Sequence, residues 1–199
     1  MKNGSSILAQ KNLLESEWLF EWSTDPRASS VQFFLTQRNL LARPFRKITG
    51  EFQLYEGLIQ TNSEDFSGAN IHLIIEANSI HTGNKRRDKH LLSADFFNVE
   101  QFPFIRFHST SFEKVRDNNY ILDGDFRIGG VSKKMVLDVI YKGKVENEFG
   151  DIQVSFQSVF HIRRHDFGFK SNMFFETFIE NEICIQLDLQ FLQIPEKIY

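Results

Sequence analysis

The stretch "EICIQLDLQF", Glu182–Phe191, alternates without a break: Ile183, Ile185, Leu187 and Leu189 fall on one side of an extended chain. Cys184, Gln186, Asp188 and Gln190 fall on the other. A period of two residues marks an antiparallel strand with one buried face and one wet face. The same pattern recurs upstream. "SVQFFLTQ" sets Val31, Phe33 and Leu35 together, and "NIHLIIEA" does so for Ile71, Leu73, Ile75 and Ala77. "FIRFHST" presents Ile105 and Phe107, and "YILDGDFRI" presents Tyr120, Leu122, Phe126 and Ile128. "MVLDVIY", with Met135, Leu137, Val139 and Tyr141, and "DIQVSFQSVFHI" complete the series. Between the runs, "EGL" at Gly57, "DFSGAN" at Gly68, "RDNN" at Asp117, "DGD" at Gly124, "GG" at Gly129 and "KGK" at Gly143 read as turns. About eight strands with short connections predict an all-β fold, an antiparallel sheet closed on itself, because closure removes exposed edges. The interior of such a barrel is either filled by side chains or holds one small ligand.

Composition fits one domain. The chain has 199 residues, 41% hydrophobic and 25% charged, as an ordinary globular protein does. A net charge of -3 lacks the broad basic face of a dedicated nucleic-acid binder, so no nucleic-acid partner is expected. Cys184 stands alone, which excludes an intramolecular disulfide and fits a reducing compartment. "MKNGSSILAQKNLLESEW" has no continuous apolar core of a signal peptide, and no apolar run approaches the ~20 residues of a membrane span. A cytoplasmic location is the expectation. Twenty-two phenylalanines stand against 4 tyrosines and 2 tryptophans. So much apolar area without a polar handle implies either a Phe-rich solid core or an apolar cavity.

"SIHTGNKRRDKHLLSADFF", Ser79–Phe97, interrupts the strands with charge. Asn84 is placed to N-cap a helix over Lys85–Leu92, about two turns long. Arg87, Leu91 and Leu92 share one side of it, and Lys85, Arg86 and Lys89 stay solvated. Asp95 is placed to cap a further turn carrying Phe96 and Phe97, and Pro103 ends the segment. His81, Asp88 and His90 raise the alternative of an enzyme or a metal centre. Their spacing argues otherwise: helical zinc ligands sit at i and i+4, whereas these histidines are nine residues apart. Asp88 and His90, two apart, point to different sides, and no nucleophile elbow accompanies them. A basic patch for phosphate or lipid headgroups is a further option. The reading preferred here is local pairing and capping around Arg87 and Asp88, with no metal and no cofactor. In "HIRRHDFGF", His161, His165 and Asp166 suggest a strand-end ionic cluster, and Arg164 with Asp166 a structural pair. "MFFETFIE" supplies Phe174, Phe175 and Phe178, which either close a barrel end or form a partner surface.

The charged stretch also resembles the signature of the YceI-like family, the polyisoprenoid-binding proteins. There a Ser-Ile-x-Thr-Gly segment leads to Arg-Asp-x-His-Leu and Asp-Phe-Phe. "WSTDPRASSVQF" matches through Asp25, Pro26, Ser29, Val31 and Phe33, and "ITGEF" through Gly50 and Phe52. "FPFIRFHST" follows with Pro103, Ile105, Phe107 and Ser109. Next comes "YILDGDFRIGGV", with Gly124, Asp125, Ile128, Gly130 and Val131. "RHDFGF" closes the series with Arg164, Asp166 and Gly168. The similarity runs from Trp22 to about Phe191.

That resemblance implies a lipocalin-like, eight-stranded antiparallel barrel with a short helical segment at one end. It implies the binding, carriage or storage of a long apolar molecule: a polyisoprenoid, an isoprenoid quinone or a fatty-acid amide. It implies no catalytic residues, and a homodimer in some members. Alternation and the loop pattern then assign the ligand-binding residues. Phe33, Leu35, Phe52, Leu73, Ile75, Phe107, Phe126, Leu137 and Phe156 are expected to form the wall, with Phe97 and Phe104 at the mouth. Residues 1–17 are expected to be an extension and 18–199 the barrel domain. Ala28 and Gln37 replace histidines of many relatives, and "RNLLARPFRK" departs from the family pattern. The alternatives are a protein-interaction module with a solid barrel core, and the enzyme built on His81, Asp88 and His90.

Overall fold

The computed structural model describes residues 18–38, 45–148, 150–169 and 179–195. Its strands are β1 (Phe20–Thr24), β2 (Ser30–Arg38), β3 (Phe45–Phe52), β4 (Tyr55–Thr61), β5 (Asn70–Glu76) and β6 (Ile80–His81). Helix α1 (Lys85–Leu91) follows, then β7 (Phe104–Arg116), β8 (Asn119–Ile128), β9 (Val131–Glu146), β10 (Ile152–Arg163) and β11 (Glu182–Gln193). Strands β1, β4, β5, β7, β8, β9, β10 and β11 lie side by side in that order, and β11 pairs back onto β1. The expected closed, eight-stranded antiparallel barrel is what the chain forms.

The remaining three strands extend that ring. β1 and β2 pair with successive segments of one neighbour: Thr24 opposite Phe191, then Ser30 opposite Asp188. They are one long strand interrupted at "DPRAS". There Asp25 accepts a hydrogen bond from the Arg27 backbone N–H (3.1 Å), which tucks the chain into a turn. β3 and β4 are likewise interrupted at Gln53–Leu54, and β5 and β6 at the 3₁₀ turn Ala77–Ser79. These last two breaks are stitched together: the backbone N–H groups of Gln53 and Leu54 donate to Ser79 Oγ at 3.2 and 3.0 Å. The wall also parts between β9 and β10. β9 and β10 pair only as far as Val139 and Ser158, where the Ser158 hydroxyl donates to the Asp138 carbonyl (2.7 Å). Beyond that point Phe167, from the 3₁₀ turn Arg164–Phe167, packs edge-on against Phe126 at 5.7 Å.

Three of the expected turns are strand interior. Gly68, Asp117 and Gly129 do turn the chain, each with positive φ. Gly57 and Gly124 instead lie within β4 and β8, and Gly143 within β9 at a bulge opposite Ser155 and Phe156. At Gly57 the space a Cβ would fill is held by Thr24 and Phe191, and at Gly124 by the ring of Phe107. Glycine serves close approach there, not chain reversal.

One half of the barrel is solid. Phe112 stacks on Tyr120 at 4.8 Å, and Phe156 meets Phe66 (5.3 Å), Tyr141 (5.3 Å), Phe112 (6.0 Å) and Phe191 (6.2 Å). The Tyr120 hydroxyl donates to the Asp65 carbonyl at 2.7 Å, so that polar tip is satisfied. A core solid throughout is not observed, because the other half is hollow. The extension 1–17 and Phe174, Phe175 and Phe178 lie outside the described residues.

Candidate functional site

The hollow half encloses a cavity of ≈ 860 Å³. Nine of the eleven residues assigned from sequence line it: Phe33, Leu35, Phe52, Leu73, Ile75, Phe97, Phe107, Phe126 and Leu137. The other two lie elsewhere. Phe156 is buried in the aromatic plug beneath, on the inward face but at the wrong height. Phe104 opens β7 one residue before inward-facing Ile105, so it takes the outer face, where the Arg106 guanidinium covers its ring at 4.8 Å. Alternation excludes Phe104 from the lumen, although the residue adjoins the crossover at the mouth.

Further residues line the cavity beyond those expected from sequence. Ile183, Ile185, Leu187 and Leu189, the inward set of the opening stretch, form one side of the lumen, and Val31, Ile48 and Leu122 complete others. The alternation that identified the strands contained this signal. Phe160, Ile162, Phe169 and Ile179 also contribute.

The charged crossover forms part of the mouth. Asn84 caps α1 as expected, its side chain accepting from the Arg86 and Arg87 backbone N–H groups at 3.1 Å each. Arg87 turns back onto Thr82, with Nε 2.7 Å from Oγ1 and Nη2 2.8 Å from the carbonyl. The Thr82 hydroxyl in turn donates to Asp88, which also accepts from the Thr82 backbone N–H (3.1 Å). Asp88 is therefore committed to fixing the loop. His81 approaches it at 3.9 Å, whereas His90 faces Asp95 at 3.7 Å, so the three residues of the enzyme alternative do not converge. Among the described residues, no group of three or more His, Cys, Asp or Glu side chains is placed to hold a metal ion. Phe96 and Phe97 sit in turns bonded to the Ser93 and Leu91 carbonyls. Phe97 meets Phe52 edge-on at 5.9 Å and Phe169 at 5.0 Å, which ties the crossover to the wall.

Polar groups are a minority of the lining. Thr82, Asn84, Arg86, Arg87 and His90 of the crossover, Arg164, and Gln32 and His72 from the strands border an otherwise aliphatic and aromatic surface. Arg164 is buried and donates to the Glu180 and Ile179 carbonyls at 3.3 Å each, an anchoring role. His161 and Asp166 line a shallow depression of ≈ 250 Å³ with Lys133, Lys134, Arg163 and Glu182, where β9 and β10 part. On the outer face, His72 and His108 stack at 4.4 Å with their Nδ1 atoms 3.2 Å apart. Burial, and secondarily His108, depresses the His72 pKa below its usual 6.5. Among the described residues, no helix is long and apolar enough to cross a membrane.

The chain resembles known proteins throughout the barrel. It is 24% identical to a UPF0312 protein of Shewanella denitrificans over 170 residues, 85% of each chain. It is 31% identical to Protein YceI of Salmonella arizonae over 124 residues, 62% of this chain and 64% of that one. The match to a UPF0312 protein of Photorhabdus laumondii, 29% identical, likewise spans 64% of the relative's length. Among solved structures, BcnA of Burkholderia cenocepacia superposes with a TM-score of 0.71 at 17% identity, over 84% of this chain and 98% of that one. A polyisoprenoid-binding domain of Saccharophagus degradans superposes with a TM-score of 0.62 at 17% identity, over 85% and 97%. These likenesses are of fold. The family model for the YceI-like domain matches residues 22–191, and the chain belongs to the YceI-like family.

Proposed function

We propose that this chain binds, carries or stores a long apolar molecule inside the barrel, of the polyisoprenoid, isoprenoid-quinone or fatty-acid-amide class, and is not an enzyme. The carrying observation is the ≈ 860 Å³ cavity, lined mainly by aliphatic and aromatic side chains, with most of its polar groups supplied by the charged crossover. Its size falls within the range of ligand cavities, ~300–1,000 Å³. A polyisoprenoid-binding domain of the same fold supports the class of ligand.

Magnitudes favour a long chain. Each buried methylene contributes ~0.8 kcal/mol, whereas association costs on the order of 4–15 kcal/mol. Ten carbons, about 8 kcal/mol, barely offset that cost; twenty, about 16 kcal/mol, leave a surplus. At ~30 Å³ for a water-sized group, the cavity accepts on the order of 25 chain carbons. The aromatic plug sets the depth, and the rim holds the polar head.

The test is displacement of N-phenyl-naphthylamine from the purified protein. Binding should raise its fluorescence, and an isoprenoid alcohol, a quinone or a long-chain amide should reverse the rise. No rise, and no displacement by any of the three, overturns the proposal. The homodimer and the cytoplasmic location belong to the same proposal, with light scattering and fractionation as their tests.

A further inference from the structure

Phe33 and Gly50 are directly opposed across β2 and β3, both on the inward face. The Phe33 ring does not stand out into the lumen; it lies sideways over Gly50. A Cβ on Gly50 would come within 2.7 Å of ring Cε1 and 2.9 Å of Cε2, far inside the ~3.5–4.0 Å of carbon contact. Further round the ring, β7 and β8 repeat the device. Phe107 covers Gly124, where a Cβ would lie 2.8 Å from ring Cε2 and 2.5 Å from the His108 carbonyl oxygen. Both rings line the cavity. In each case the missing side chain creates a recess in the wall, and the largest neighbouring side chain rests in it.

We propose that the Phe33–Gly50 and Phe107–Gly124 pairs gauge the width of the lumen and make it broad enough for a methyl-branched chain. The inference rests on the carrier reading above and adds which shape of chain the lumen selects. An unbranched alkyl chain has a uniform, narrow section. An isoprenoid carries a methyl on every repeat and needs a wider bore along its length. Rings lying in the wall leave that bore open; a methyl on Gly50 evicts Phe33 toward the axis. The substitution then costs the branched chain contacts that the unbranched chain never required. Gly50 is the better probe of the two, because the three atoms nearest a Cβ there all belong to the Phe33 ring, whereas at Gly124 a backbone carbonyl is among them.

Geranylgeraniol and hexadecanol have main chains of equal length and differ in four methyl branches and four double bonds, so the change in the ratio of their affinities from one variant to the next, and not the ratio itself, reads width. Displacement of N-phenyl-naphthylamine gives both constants for the full-length protein. Gly50→Ala should weaken geranylgeraniol about tenfold more than hexadecanol, and adding Phe33→Leu to it should restore the ratio. Phe33→Leu alone, which leaves the backbone and Gly50 untouched, should shift the ratio toward geranylgeraniol. The gauge is overturned if both alcohols bind every folded variant with an unchanged ratio. Binding of neither alcohol by the unaltered protein would overturn the carrier reading, and the gauge with it.

Discussion

The Arg87 guanidinium closes on Thr82, donating from Nε to the hydroxyl at 2.7 Å and from Nη2 to the carbonyl at 2.8 Å. Both residues belong to the crossover between β6 and β7, so the contact folds a charged segment onto itself and not onto a substrate. Asp88 completes the clasp from the same helix. Its mechanical effect is to hold α1 and the following turn so that Phe97 stays against Phe52 and Phe169 at the mouth.

Arg87→Ala opens the clasp. Losing hydrogen bonds from a charged donor at a half-buried position should lower stability by about 1–3 kcal/mol, read from urea unfolding. The dissociation rate of a bound apolar probe should rise, because Phe97 is no longer held. Lys at the same position should not restore it, since one ammonium does not reproduce the two-pronged contact.

Alternation made the strands and the inward face legible, because period two is a property of the extended chain itself. It does not report height along the barrel axis. Phe126 and Phe156 therefore read alike from sequence, although one faces the cavity and the other fills the plug. Glycine was ambiguous for a related reason. Gly68 and Gly129 permit a positive φ, whereas Gly57 makes room for Thr24 and Phe191 and Gly124 for the Phe107 ring. A single sequence does not separate those uses. Phe104 is the opposite case: its parity with Ile105 already placed it outside. The division between plug and hollow depends on volumes summed over several strands, which no local pattern carries.

The two misplaced residues make a paired test. Phe156→Ala should cost ~3–5 kcal/mol of stability, as large-to-small changes do in a packed interior, while the cavity above still takes up the probe. Phe104→Ala should cost less than ~1 kcal/mol and leave binding unchanged, because what it removes is a ring on the outer face, covered by Arg106. Urea unfolding and probe titration of both variants check the pair.

Leu137 faces the lumen from β9. Leu137→Trp should fill space that a ligand would occupy, so the far-ultraviolet circular dichroism should be preserved while probe binding falls at least about tenfold.

Acid should weaken the fold in two windows. Burial, with a smaller contribution from His108, depresses the His72 pKa from 6.5, so the unfolded chain takes up the proton first. This group's contribution is intact above pH 6.5 and is lost as pH falls through its lower folded value. Asp25 and Asp65 behave in the same sense below 3.8, lowered chiefly by hydrogen bonds from Arg27 and Ser63. Urea midpoints should therefore drop between pH 7 and 5, and His72→Gln should flatten that slope without touching the more acidic window.

Native mass spectrometry of the gently purified, full-length protein, beside its Leu137→Trp variant, tests the central claim most directly. A non-covalent, extractable, long-chain apolar molecule on the unaltered protein, absent from the variant, is the outcome the hollow barrel predicts. An unaltered protein that flies empty, and remains empty after incubation with isoprenoid, quinone and long-chain amide, would contradict it.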